Sequence, residues 1–230
     1  MKRQIPLNTA NTYHVYSKSI SHFKIYNNPR EYERFIQLTR YYQFNGPQLP
    51  FSKFLRHIET HKSSFEKTLL EASKEKACCV HILAYCLMPT HFHFILRQTC
   101  DNGIENFMRK VCNGYSHYFN LRHNRKGPLW QTRFGNVMIH NPQDLLETSR
   151  YVHLNPATAY IVDLAEHWPY SSFREYTRIK NAQFPNICHT EILLKHTTPE
   201  KYAAFVNGYV QTQRQLKPRQ NPELPKVLPN

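Results

Sequence analysis

Residues 79–96 read CVHILAYCLMPTHFHFIL. The run from Cys79 to Met88 is apolar and rich in strand formers, Pro89-Thr90 breaks it, and His91 to Leu96 resumes it. Two runs of strand length separated by two residues read as neighbouring strands joined tightly near the middle of a sheet. In the second run the period-2 geometry of a strand puts His91 and His93 on one face and Phe92 and Phe94 on the other. The phenylalanines belong to a core, and the histidines face something else.

Upstream, Tyr13 and Val15 alternate with polar neighbours in a strand over 12–16, continued in extended or turn conformation over 19–25. Asn28-Pro29-Arg30-Glu31 supplies an N-cap, a proline in the first turn and a carboxylate at N3, so a helix starts there and keeps Tyr32, Phe35, Ile36 and Thr39 on one stripe to about Tyr42. Residues 43–76 read as a helical insertion, with breaks at Gly46-Pro47 and Pro50 and helical patterns near 51–58 and 65–70. Downstream, 105–121 is helical, Gly127-Pro128 breaks the chain, and a strand is expected over 129–139. Asn141-Pro142-Gln143-Asp144 repeats the cap signature and opens a helix expected to stop at Pro156. The order β, α, insertion, β, β, α, β, α predicts an α+β fold, a ferredoxin-like two-layer sandwich whose mainly antiparallel sheet carries helices. This domain is expected over 1–185, followed over 186–230 by a C-terminal helix capped at Thr198-Pro199-Glu200 and a loose proline-containing tail.

A chain of 230 residues, 40% hydrophobic and 13% aromatic, has the material for one core or a core with a docked extension. Thirty Lys plus Arg against 16 Asp plus Glu give a formal charge of +14, which suits a polyanionic partner. No apolar run approaches the ~20 residues of a membrane span, and Met1-Lys2-Arg3-Gln4 leads into polar sequence, so a cytoplasmic, nucleoid-associated protein is expected and a membrane partner is not. The six cysteines show no CxxC spacing and read as reduced, mostly buried thiols, not as a zinc or disulfide set.

Two imidazoles about 7 Å apart along a strand can converge on one ion, although an HxH alone also describes two histidines on a wet face. On the 142–155 helix, Tyr151 and Asn155 are one turn apart and share a face, while Leu145, Ser149 and Val152 form the core stripe. The phenol can face a cleft with the Asn155 amide oxygen beside it, or can be a half-buried tyrosine packed near a helix end. Taken together, His91, His93 and Asn155 offer a ligand set for Mg²⁺ or Mn²⁺ with positions left for a phosphate oxygen, and Tyr151 offers a nucleophile. Between Glu105 and Asp144 there is no acidic residue, and the candidate DNA contacts Arg109, Lys110, Arg122, Arg125, Lys126, Gln131 and Arg133 fall in this interval. Cations can follow phosphates while the interleaved Tyr115, Tyr118, Phe119 and Trp130 either stack on bases or fill a core.

The segments LAYCLMPTHFHFIL, YSHYFNLRHNRKGPLWQTRF, RYVHLNP and WPYSSF, in this order, resemble the HUH-type single-tyrosine transposases, particularly the REP-associated tyrosine transposases. The resemblance implies that His91 and His93 are the HUH pair, Tyr151 the nucleophile and Asn155 the third ligand. It implies cleavage of single-stranded DNA beside a hairpin, a covalent 5′-phosphotyrosine, a free 3′-hydroxyl and rejoining without ATP, by a monomer or a homodimer. A non-catalytic hairpin-binding relative is the alternative, and a hydrolase that uses water would make Tyr151 dispensable.

Overall fold

The computed structural model describes residues 6–45, 49–131, 133–179, 184 and 186–216. The turn expected at Gly46-Pro47 and the tail beyond residue 216 lie outside them. Four strands, β1 (Thr12–Lys18), β2 (Val80–Met88), β3 (His91–Gln98) and β4 (Gly135–Ile139), form one sheet in the order β2-β3-β1-β4, every pairing antiparallel. With helices α1 (Pro29–Tyr42), α4 (Gly103–Arg122) and α5 (Pro142–Thr158) between and after them, this is the expected ferredoxin-like α+β order. Helices α2 (Phe51–Thr60) and α3 (Phe65–Ser73) occupy the predicted insertion.

Alternation along β3 sorts the two layers. Phe92 and Phe94 point to the α1/α4 side, where Phe35, Phe107, Tyr115 and Trp130 surround them. Each fully buried phenylalanine of this kind contributes about 1.5–3 kcal/mol. The opposite face is covered by α5, which packs on β2 and β3. The caps behave as read: the Asn28 side chain accepts from Glu31 N, and that of Asn141 accepts from Asp144 N.

Three expectations change. The strand over 129–139 shortens to β4, because 129–134 pairs only through a Ser19–Trp130 bridge while the Trp130 indole turns into the core and donates to Cys112 O. Helix α5 runs through Pro156 to Thr158. Proline removes one N–H, yet Asn155 Nδ2 donates to Tyr151 O at 2.8 Å and lies 3.5 Å from Val152 O, the carbonyl that Pro156 leaves without its i+4 donor. The single C-terminal helix divides into α8 (Pro199–Asn207) and α9 (Val210–Leu216) at Gly208, following the short α6 (Phe173–Tyr176) and α7 (Thr190–Leu194).

Two carboxylates, Glu31 buried and Glu175 half-buried, give measurable predictions. Glu31 is fully buried and accepts from Asn27 N at 2.6 Å and Asn27 Nδ2 at 3.1 Å, with His123 Nε2 at 2.7 Å, so it ties the start of α1 to the end of α4. Glu31→Ala should lower unfolding free energy by about 1.5–3 kcal/mol, because the Asn27 and His123 donors lose a charged acceptor; urea melts read this directly. Burial pushes the Glu175 carboxyl up to about 7, against the opposing pull of the Cys188 and Ile187 N–H groups that it accepts. The folded state therefore holds this proton more tightly than the unfolded chain, and the stabilisation is present below pH 4.5 and lost as pH climbs toward 7. Measured against the parent, Glu175→Gln should gain roughly 1 kcal/mol per pH unit over that window and nothing further above it.

Candidate active site

The site forms where β3, β1 and α5 meet. In the β1–β3 register Tyr16 lies opposite His93 and Lys18 opposite His91, so the HxH pair shares its face with Tyr16 and, one pair along, His14. The His91 and His93 rings are 5.1 Å apart and nearly perpendicular. His14 Nε2 is 2.9 Å from His93 Nδ1, with the two rings stacked at 5.1 Å. Thr90 Oγ1 meets His91 Nδ1 at 3.0 Å. Both members of the pair thus engage Nδ1 in a hydrogen-bond contact, His93 with His14 and His91 with Thr90.

Helix α5 brings Tyr151 over this layer. Its ring stands edge-on to His93 at 5.6 Å and to His14 at 5.7 Å, all within one chain. Tyr151 is half-buried while Ser149, Val152 and His153 are fully buried, so the helix presents its core stripe to the sheet and Tyr151 at the stripe's edge. His153 fixes the helix from behind, bonding Tyr202 Oη at 2.7 Å and Ser172 Oγ at 2.8 Å, and burial drives its pKa down to about 3, so it stays neutral. Asn155 is buried and spends its Nδ2 on its own helix, which leaves the amide oxygen as the ligating atom it can offer. By donor type alone, two imidazole nitrogens and an amide oxygen would suit Mn²⁺, and Mg²⁺ less closely, since imidazole suits the borderline ion better; Asn155 contacts its own helix, at Tyr151 O and Val152 O.

Sequence reasoning missed His14. It lies two residues before Tyr16 on a predicted strand, and period-2 alternation was the signal that could have placed it on the face of the HxH pair. Gly135 belongs here as well: a Cβ there would approach the Tyr16 ring to 2.5 Å, so the glycine lets that ring lie across β4 beside the histidines.

The candidate DNA contacts divide into two groups. Arg109 and Lys110 stand near the α4 N-terminus, beside Cys79 and Cys100, at the end of the sheet away from His91. Arg122, Arg125 and Lys126 lie about 20 Å further along α4 and its exit, by the helical rise. Gln131 and Arg133 follow on the segment that runs beside β1, where Gln131 N donates to Lys18 O opposite His91. Arg125 is tied into its own turn, donating to Asn120 Oδ1, Gly127 O and Pro128 O. Tyr115 and Phe119 are fully buried, so these aromatics serve the core and not a base stack. On the far side of His14, a cleft of about 280 Å³ is bordered by Asp144 and Glu147, a poor path for phosphates.

Comparison with known proteins shows what the chain is similar to. The family model described as "Transposase IS200 like" matches residues 53–155, which include His91, His93, Tyr151 and Asn155. A Haemophilus influenzae protein assigned by name to the REP-associated tyrosine transposases is 29% identical over a match covering 44% of this chain and 65% of that protein, so the chain spans about two-thirds of its relative's length. A solved REP-associated tyrosine transposase bound to a REP hairpin superposes with a TM-score of 0.53 at 14% identity, covering 82% of this chain and 97% of the other, and speaks to the fold. The resemblance to the REP-associated tyrosine transposases stands on these matches. Among the described residues no helix is long and apolar enough to cross a membrane.

Proposed function

We propose that the protein is a transposase-like enzyme that nicks and rejoins single-stranded DNA at hairpin-associated sites through Tyr151. The observation that carries this reading is the approach of Tyr151, from the helical layer, to His93 on the sheet at 5.6 Å between rings. The phenolic oxygen attacks the scissile phosphorus in line as its proton passes to solvent, the bond from phosphorus to the 3′-oxygen breaks, and the departing 3′-oxygen takes up one proton from solvent in return. The products are a 5′-phosphotyrosine and a free 3′-hydroxyl, and attack by a 3′-hydroxyl reverses the step. His91, His93 and Asn155 would hold a divalent ion, which when bound stabilises charge on the phosphate oxygens. His14 orients the His93 ring, and His153 with Tyr202 holds α5 in place. An intact nucleophile beside a paired imidazole set favours this over a purely hairpin-binding protein, which needs neither. Incubation with labelled hairpin-bearing single strands and Mn²⁺, resolved on a denaturing gel, should give one discrete cut that chelator suppresses; binding without any cut would favour the non-catalytic alternative.

The strand is expected to run along Arg122, Lys126, Gln131 and Arg133 toward His91. Affinity should then fall with salt by a log–log slope of about −0.7 per neutralised phosphate. Because Arg125 holds its own turn together and Arg122 Nε lies 3.8 Å from the buried Glu31 carboxylate, the informative variant removes Lys126 and Arg133 together. It should flatten the slope by about 1.4 and weaken all sequences alike, since phosphate contacts position the strand without reading it. An unchanged slope would make this run a solvated face only.

A further inference from the structure

Among the described residues, one group brings three His, Cys or carboxylate donor atoms within 4.8 Å of one another: Cys78, His81 and His189. All three are half-buried. The His81 and His189 rings lie 4.0 Å apart, tilted by 27°. His189 is held at both ends, its backbone N donating to Ile82 O at 2.8 Å and its Nδ1 lying 3.2 Å from Glu191 Oε1. A carboxylate on Nδ1 fixes the tautomer and turns Nε2 outward, the usual arrangement behind a metal-bound imidazole. Cys78 is anchored by a bridge to Phe44 and by Thr99 Oγ1 donating to its carbonyl.

We propose that Cys78, His81 and His189 form a three-ligand zinc site that clasps the segment before α7 to the start of β2. One thiolate and two imidazoles suit a tetrahedral borderline ion, with water in the fourth position, and do not suit Mg²⁺, which takes oxygen ligands. Binding expels one proton, from Cys78 Sγ, and the two imidazoles enter neutral. The site is separate from Tyr151: His81 pairs with Arg97, four residues along β3 from His93, or about 13 Å of strand. Its effect reaches α5 through structure. The clasped segment leads into α8, whose Tyr202 hydroxyl donates to Ser149 and bonds His153 on the helix that carries Tyr151.

The test uses the full chain, stripped of metal and titrated with Co²⁺ as a spectroscopic stand-in for zinc. A thiolate-to-cobalt charge-transfer band should saturate at one equivalent, be abolished by Zn²⁺ and persist in excess Mg²⁺. Cys78→Ser should remove the band, whereas His93→Ala should keep it. His189→Ala retains the thiol and should weaken Co²⁺ binding at least tenfold. The proposal is overturned if no charge-transfer band forms, if the band survives Cys78→Ser, or if His189→Ala binds with the parent's affinity.

Discussion

Tyr151→Phe should abolish strand cleavage, by a factor on the order of 10⁴ to 10⁶, the scale reached when a covalent nucleophile is removed. The substitution deletes one oxygen and keeps the ring that stands edge-on to His93 and His14, so the packing of α5 is preserved. DNA affinity should stay within about tenfold of the parent, since one hydrogen bond is worth about 0.5–1.5 kcal/mol beside a term dominated by phosphate contacts. Cleavage rates at saturating DNA and binding isotherms, measured side by side, separate the two effects. A variant that cuts at the parent rate would remove Tyr151 from the chemistry.

His93→Ala should be nearly as damaging. His93 is 6% exposed, contributes one of two imidazoles to the proposed ion site, and is the partner of His14 Nε2 at 2.9 Å. Loss of the charge stabilisation supplied by a bound ion is worth several kcal/mol, or about 10³-fold in rate. His14→Ala should behave differently. It removes a positioning residue while leaving both imidazoles, so a loss of about 10- to 100-fold is expected, and it should be largely recovered by raising Mn²⁺. Rate against Mn²⁺ concentration distinguishes the two: a shifted midpoint with a recovered plateau for His14→Ala, and a lost plateau for His93→Ala.

The parts of the molecule that were legible in the sequence are those governed by short-range periodicity. The alternation of HFHF sorted the faces of β3 correctly, and the Asn-Pro-x-Glu and Asn-Pro-x-Asp signatures opened α1 and α5 where their caps form. Tyr151 and Asn155 were read as sharing a helix face because one helical turn separates them, and the Asn155 amide does reach Tyr151 O. What escaped depends on contacts between distant residues. Pro156 reads locally as a stop, but the Asn155 amide reaches back to the helix carbonyls and the chain continues to Thr158. The apolar character of 129–134 resembles a strand because Leu129 and Trp130 feed the core without joining the ladder. His14 joins His93 only through the β1–β3 register, 79 positions apart in sequence. Cys78 and His81 meet His189 only when the chain returns to the β2 edge, so no local cysteine spacing could reveal that cluster. The basic interval showed the reverse problem: one uninterrupted run in sequence becomes two separated groups, because α4 carries Arg109 and Arg122 toward opposite ends of the sheet.

The central claim, covalent catalysis by Tyr151, is tested most directly by locating the protein–DNA linkage. A hairpin-bearing single strand labelled on the 3′ side of the expected cut is reacted with the full chain and Mn²⁺, the adduct is denatured, and the DNA is trimmed by nuclease. The peptide running from Tyr151 to Arg174 is then fragmented in a mass spectrometer. It also contains Tyr160 and Tyr170, so fragmentation must resolve which ring carries the nucleotide. The account predicts a phosphodiester remnant on Tyr151 alone, with the label retained on the protein. A remnant on another residue, or a cut strand bearing a free 5′-phosphate with no adduct at any time, would contradict it.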